Sequence, residues 1–216
     1  MHATPVRRRG IRPWMIWLAA GVAVLIAASL TTKVVSIEEA DAAASGGRFD
    51  PVEYADERFD AEIVPQIEEE AVDLTTLLSD LSGGADEAEF GNAPGTGSSY
   101  SFPVEFTGVA GAPNGSVVPV TVEGVPSDVV VQVQIGPAIN GTALRDVTGT
   151  VSFNEFTNQL EFQEVATEFN TRVRDGVLSE VDPATLEGST VSVVGAFTRV
   201  NPALVSVVPV AFEVTP

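Results

Sequence analysis

Cysteine is missing from all 216 residues, and histidine and lysine occur once each, as His2 and Lys33. Without thiols there is no disulfide framework, no thiolate metal site, no thiol nucleophile and no residue to carry a lipobox acyl group. The one histidine stands in a basic N-terminal tail, so Ser-His-Asp catalysis and histidine-held metal sites drop out for the rest of the chain. No phosphate-cradling G-x-x-x-x-G-K, no dinucleotide-binding G-x-G-x-x-G and no D-x-[DN]-x-[DN]-G calcium loop occurs. These gaps set the expectation of a non-enzymatic protein with no catalytic residues, no metal and no cofactor.

Acidic residues are absent from the first 33 positions, where Arg7, Arg8, Arg9, Arg12 and Lys33 all lie. From Val34 onward the balance reverses to 6 basic against 30 acidic residues, a net of −24. A field of that sign repels phosphate backbones, which argues against nucleic acid as a partner.

Between Pro13 and Thr32 no residue is charged. Twenty helical residues at about 1.5 Å each give roughly 30 Å, the thickness of a bilayer core. The Arg cluster should remain cytoplasmic, with Trp14 and Trp17 at the inner interface. Ala27-Ala28-Ser29 also offers small residues at a spacing that a signal peptidase accepts, so cleavage and retention are both open. The length of the run and its closure by Lys33 favour a retained signal anchor. The chain is thus expected to be a single-pass protein of the cell membrane, held through residues 13–32, with an extracytoplasmic, periplasmic C-terminal domain.

The expected organisation is a basic tail (1–12), a transmembrane anchor (13–32), a spacer (33–48), a helical region with a Gly/Ser-rich loop (49–99) and a β-barrel domain (100–216) with one helix near 155–178. Asp50-Pro51 followed by Glu53 predicts a helix start, with a short helix through Phe59. Ile63, Ile67, Ala71, Leu74 and Leu78 predict a second helix that ends at Gly83-Gly84. Strands are expected over Phe102–Ala110, Ser116–Val122 and Val129–Ile135, the third with Val147–Phe153 as a candidate continuation. A helix is read from Phe156, Leu160, Val165, Phe169, Val173 and Val177. Two strands, Thr190–Val200 with a bulge at Gly195 and Ala203–Val214, close the chain. The fold class is therefore α+β, mainly β with helices. The order strand, strand, strand, helix, strand, strand is that of the five-stranded, partly open oligonucleotide/oligosaccharide-binding (OB) barrel.

Polar residues interrupt the most apolar part of the chain at Gln134-Ile135-Gly136-Pro137, at Gly141-Thr142-Ala143-Leu144-Arg145-Asp146, and at Phe153, Phe156, Asn158 and Gln159. Arg145 has the planar fork that suits capture of a carboxylate or a sugar hydroxyl pair. With Asp146, Asn158, Gln159 and Gln134 it forms the candidate ligand-binding set. The competing reading pairs Arg145 with a carboxylate of its own domain, such as Asp146, and makes Asn158 a helix cap. Glu68-Glu69-Glu70 and Asp86-Glu87-Ala88-Glu89 are read as solvated surface rather than as a cation site.

The same stretches, together with Asn170, Phe49-Asp50-Pro51, Tyr54 and Thr32-Lys33-Val34-Val35, resemble the bacterial domain-of-unknown-function family 2291, described as predicted periplasmic lipoproteins. The resemblance covers nearly the whole chain. It implies an extracytoplasmic location, a barrel-like core with helices and a role beside a sugar uptake system, because members are often associated with sugar ABC-transporter gene neighbourhoods. It implies no catalytic residues. The family label expects a lipid-bearing cysteine; here the hydrophobic segment must anchor instead.

Three functions follow for comparison. The first is a membrane-anchored, non-enzymatic binding or accessory protein that recognises a small solute or a sugar-transporter component. The second is a structural or assembly protein of the cell envelope. The third is a hydrolase built on two carboxylates, which needs no histidine.

Overall fold

The computed structural model describes residues 49–215. The tail, anchor and spacer expected over 1–48 lie outside them. Among the described residues, no helix is long and apolar enough to cross a membrane.

Helix α1 (Pro51–Arg58) starts where the sequence places it. The Asp50 carboxylate accepts from the backbone N–H groups of Val52 and Glu53, and Pro51 occupies the first turn. The helix does not stop at Phe59, however. It widens into a π turn (Phe59–Ile63) and runs on as α2 (Val64–Glu70). Pro65 explains the widening: a proline lacks an N–H and crowds the carbonyl four residues back. The π turn, in which the Val64 N–H reaches the Phe59 carbonyl, makes room for it. Ala55, Phe59, Ile63 and Ile67, one turn apart, form the buried stripe.

The second expected helix is in fact broken at Ala71. Val72–Asp73 (β1) pairs in parallel with Val104 and Glu105, and a new helix, α3 (Leu74–Ser82), begins there. Asp73 caps it, accepting from the Thr76 N–H at 2.9 Å. Apolar spacing is kept across the break, so periodicity alone conceals it; the Asp-Leu-Thr-Thr start signal marks it. The helix ends at Gly83, with Gly84 at φ +91°.

Five strands close into a barrel: β2 (Ser101–Ala110), β3 (Val117–Thr121), β4 (Val130–Gln134), β5 (Thr190–Thr198) and β6 (Leu204–Thr215). Neighbours run β2-β3-β4-β6-β5, and β5 returns to β2. Among these five, all pairings are antiparallel except β4 with β6. The barrel is closed rather than partly open, because β2 and β5 pair along their whole length, from Ser101 opposite Thr198 to Val109 opposite Thr190. Closure leaves none of the five as a free edge. The expected bulge is present, as the β5–β6 register shifts between Val194 and Gly195. A Cβ at Gly195 would stand 2.3 Å from the Val208 carbonyl oxygen, so only glycine fits there.

Two apolar cores result. One joins the inward faces of the strands, including Phe102, Val104, Val133, Val193, Phe197 and Val207, with Leu74 and Leu77 of α3. The other packs the helices on Ala196, Val208 and Val210. The long helix between the third and fourth barrel strands, α5 (Gln159–Asp175), belongs to this second core through Phe162, Val165, Phe169 and Val173. Leu160 departs from the expected stripe and is exposed. It lies nine residues from Phe169, about two and a half turns, which puts it on the opposite side of the helix. The candidate strand over Val147–Phe153 does not form. A short helix, α4 (Ala143–Asp146), leads through a turn with Gly149 at φ +68° to a helical turn at Phe153–Glu155.

Candidate functional site

Arg145 and Asp146 both lie on α4, 2% and 4% exposed. The guanidinium sets Nε and Nη2 each 2.7 Å from Asp146 Oδ1, and Nη1 donates to the Phe162 carbonyl at 3.0 Å. Its Cζ lies 3.5 Å from the centroid of the Phe162 ring, a cation–π contact. The second carboxylate oxygen, Oδ2, accepts from the Thr142 hydroxyl one turn earlier, at 2.6 Å. Two buried opposite charges are tolerable because each is paired and hydrogen-bonded.

A cleft of about 400 Å³ opens above this pair. Gln159 and Gln163, one turn apart on α5, line it together with Ser98 and Ser99, and Phe153 and Phe162 supply apolar surface. Phe153 is 42% exposed and meets Phe162 edge to face at 5.5 Å. The side chains of Gln159, Gln163, Ser98 and Ser99 are exposed and line the cleft, and among the described residues none of them has a hydrogen-bond partner.

Three of the five residues singled out by sequence therefore converge on one cleft: Arg145, Asp146 and Gln159. The other two lie elsewhere. Asn158 caps α5, its Oδ1 accepting from the Leu160 and Glu161 N–H groups at 2.9 and 3.1 Å. Gln134 binds the Asn140 backbone through both ends of its amide, at 2.7 and 3.0 Å, and so holds the loop that contains the cis Gly136-Pro137 bond. Buried Asn170 donates to the Gly141 carbonyl at 3.0 Å and braces the same loop from α5. Gln163 was not singled out by sequence; its spacing of four from Gln159 is the signal that could have found it. Ser98, Ser99 and Thr198 carry no local signal, since only barrel closure brings them to the cleft.

A second polar cluster fastens α1 to the loop that carries Phe153. Arg58 grips Glu62 with Nε and Nη2 at 2.6 and 2.7 Å, reaches Glu155 at 3.2 Å, and contacts the Tyr54 hydroxyl, which donates to Glu155 at 3.0 Å. The Arg58 hydrogen bond holds the Glu62 carboxyl below its ordinary range, against a smaller effect of burial. Burial pushes the Tyr54 phenol up from its ordinary 10.0; the Arg58 charge opposes this and Glu155 reinforces it. Among the described residues, no three Asp, Glu or His side chains gather as metal donors. Glu87, within one of the acidic runs, pairs instead with Arg199.

The family model described as predicted periplasmic lipoprotein (DUF2291) matches residues 20–213. The solved structure of an OB-fold protein from Thermotoga maritima MSB8 is similar, with a TM-score of 0.60 at 19% identity, covering 78% of this chain and 100% of that one. At that identity the likeness speaks for the fold. None of the curated proteins matches the chain.

Proposed function

Because the chain belongs to the family of predicted periplasmic lipoproteins DUF2291, we propose that it is an extracytoplasmic accessory protein that holds a small solute in the cleft beside Arg145 and Asp146 and works beside a sugar uptake system. Residues 13–32 anchor it in place of a lipid, for which the chain offers no cysteine. The basic tail stays in the cytoplasm.

One observation carries this reading. Four amide and hydroxyl side chains, unpartnered among the described residues, and an exposed aromatic ring line a cleft that a buried ion pair also lines. Such a mixture of a rigid base, apolar surface and few convergent polar groups is the usual make-up of a small-molecule site. A glycoside hydrolase needs two carboxyl groups about 5 to 10 Å apart. Among the described residues, Asp146 is the one carboxylate that lines this cleft, and Arg145 neutralises it, which supports binding over hydrolysis.

The test combines thermal shift and crosslinking on the full-length chain. A solute at about ten times its Kd should raise Tm by a few degrees, and Gln159→Ala should lose the shift. A photoreactive group at position 153 should crosslink, in cells, to a transport component. If a broad panel of mono- and disaccharides gives no shift and position 153 captures no transport component, the proposal fails. The envelope-structural role would then be tested by integrity after gene deletion.

A further inference from the structure

Two features of the cleft would ordinarily attract an anion: a guanidinium and the N-terminus of a 17-residue helix. Both are already occupied by side chains of this chain, the guanidinium by a carboxylate and the helix start by an amide. Asp146 Oδ1 takes two donors of Arg145, and the third bond of that guanidinium goes to the Phe162 carbonyl. At the start of α5, Asn158 accepts from the Leu160 and Glu161 N–H groups, while Glu161 Oε2 turns back to accept from the Thr157 N–H at 2.8 Å. The polar groups left over are the neutral ones on Gln159, Gln163, Ser98 and Ser99. Outside the cleft, the net charge of −24 from Val34 onward repels anions at longer range.

Resting on the reading of this cleft as a solute site, we infer that it selects an uncharged polyhydroxylated ring and rejects the anionic counterpart of the same ring. The amides accept and donate to hydroxyl groups. The exposed Phe153 ring, packed edge to face with Phe162, supplies apolar surface for the C–H side of the solute. Charge is handled by exclusion: a carboxylate or phosphate would enter a cleft whose lining cation, Arg145, is already paired with Asp146, and would meet the negative charge of Glu161 near the start of α5 only at longer range. Discrimination by an introduced repulsion of this kind needs no contact that the neutral solute lacks.

Calorimetric titration of the full-length chain with glucose and maltose, against glucuronate and glucose 6-phosphate, tests the inference. The neutral sugars are expected to bind at least roughly tenfold more tightly than either anion. Glu161→Gln keeps the acceptor but removes its charge. It should strengthen binding of the anions by about two- to fivefold, the effect of a charge at a helix terminus, and leave the neutral sugars unchanged. Equal or tighter binding of the anions, abolished by Gln159→Ala, overturns the charge selection and leaves the cleft as a site. Binding of none of the four overturns both. Glu161→Gln also guards against misfolding, since it changes one charge on the helix surface; should it leave the ratio of neutral to anionic affinity unaltered, the role given to Glu161 is wrong.

Discussion

Arg145 and Asp146 are consecutive on one helix, yet their charged ends meet at 2.7 Å in a nearly solvent-free place. Neighbours on a helix point about 100° apart, so the guanidinium closes the gap by folding back over the Phe162 ring, which supports it from below at 3.5 Å. Removing one partner leaves the other charge buried and unpaired. Arg145→Met should therefore cost about 3 to 5 kcal/mol of stability. The double variant Arg145→Met with Asp146→Leu should recover much of that loss, because an apolar pair of similar volume needs no desolvation of charge. Urea denaturation of the single and double variants measures both.

Asn158 is a helix cap by geometry, with two backbone donors on one oxygen. Asn158→Ala should cost about 1 kcal/mol and leave solute binding unchanged, whereas Gln159→Ala should leave stability unchanged and weaken binding. Parallel melting and titration of the two adjacent variants separates a cap from a ligand contact.

Gly195 sits where β5 bulges against β6. Gly195→Ala would bring a methyl group to 2.3 Å from the Val208 oxygen and 2.8 Å from the Pro209 Cα, both backbone atoms with little room to yield. A loss of about 1 to 3 kcal/mol is expected, read as a lowered midpoint in denaturant with unchanged solute affinity in whatever fraction remains folded.

Acid should loosen the α1 clamp. The Glu62 carboxyl is held below its ordinary 4.5 by Arg58. A depressed carboxylate contributes stability that is fully present above its unfolded value and lost as pH falls through its folded value. The difference in Tm between the wild type and Glu62→Gln should thus be constant above pH about 5 and shrink below 4.5. The amplitude will be small, because Glu62 is more than a third exposed and solvent screens the pair.

The strand order, the bulge at Gly195 and the Asp50 cap were legible because each has a local cause: alternation, a glycine in a strand, an Asp-Pro start. Barrel closure was not, since β2 and β5 are about ninety residues apart and nothing local in Ser101–Ala110 names its partner. The break at Ala71 was hidden because Ile67, Ala71 and Leu74 keep helical spacing through it. Half of the site followed the same logic. Arg145, Asp146 and Gln159 stood out as polar residues in an apolar stretch, whereas Ser98 and Ser99 sit in a Gly-rich loop whose composition says only that it is a loop. Asn158 and Gln134 stood out for the same reason as Arg145. What sequence could not supply was direction: their polar atoms are turned on the backbone, not on the opening.

The most direct test of the central claim is a crystal structure of the chain soaked with a neutral disaccharide. The account expects the sugar between Gln159, Gln163 and Ser99, one ring face on Phe153, with the Arg145–Asp146 pair unmoved beneath it. A sugar that sits elsewhere on the domain, or an Arg145 side chain that leaves Asp146 to reach the ligand, would contradict it.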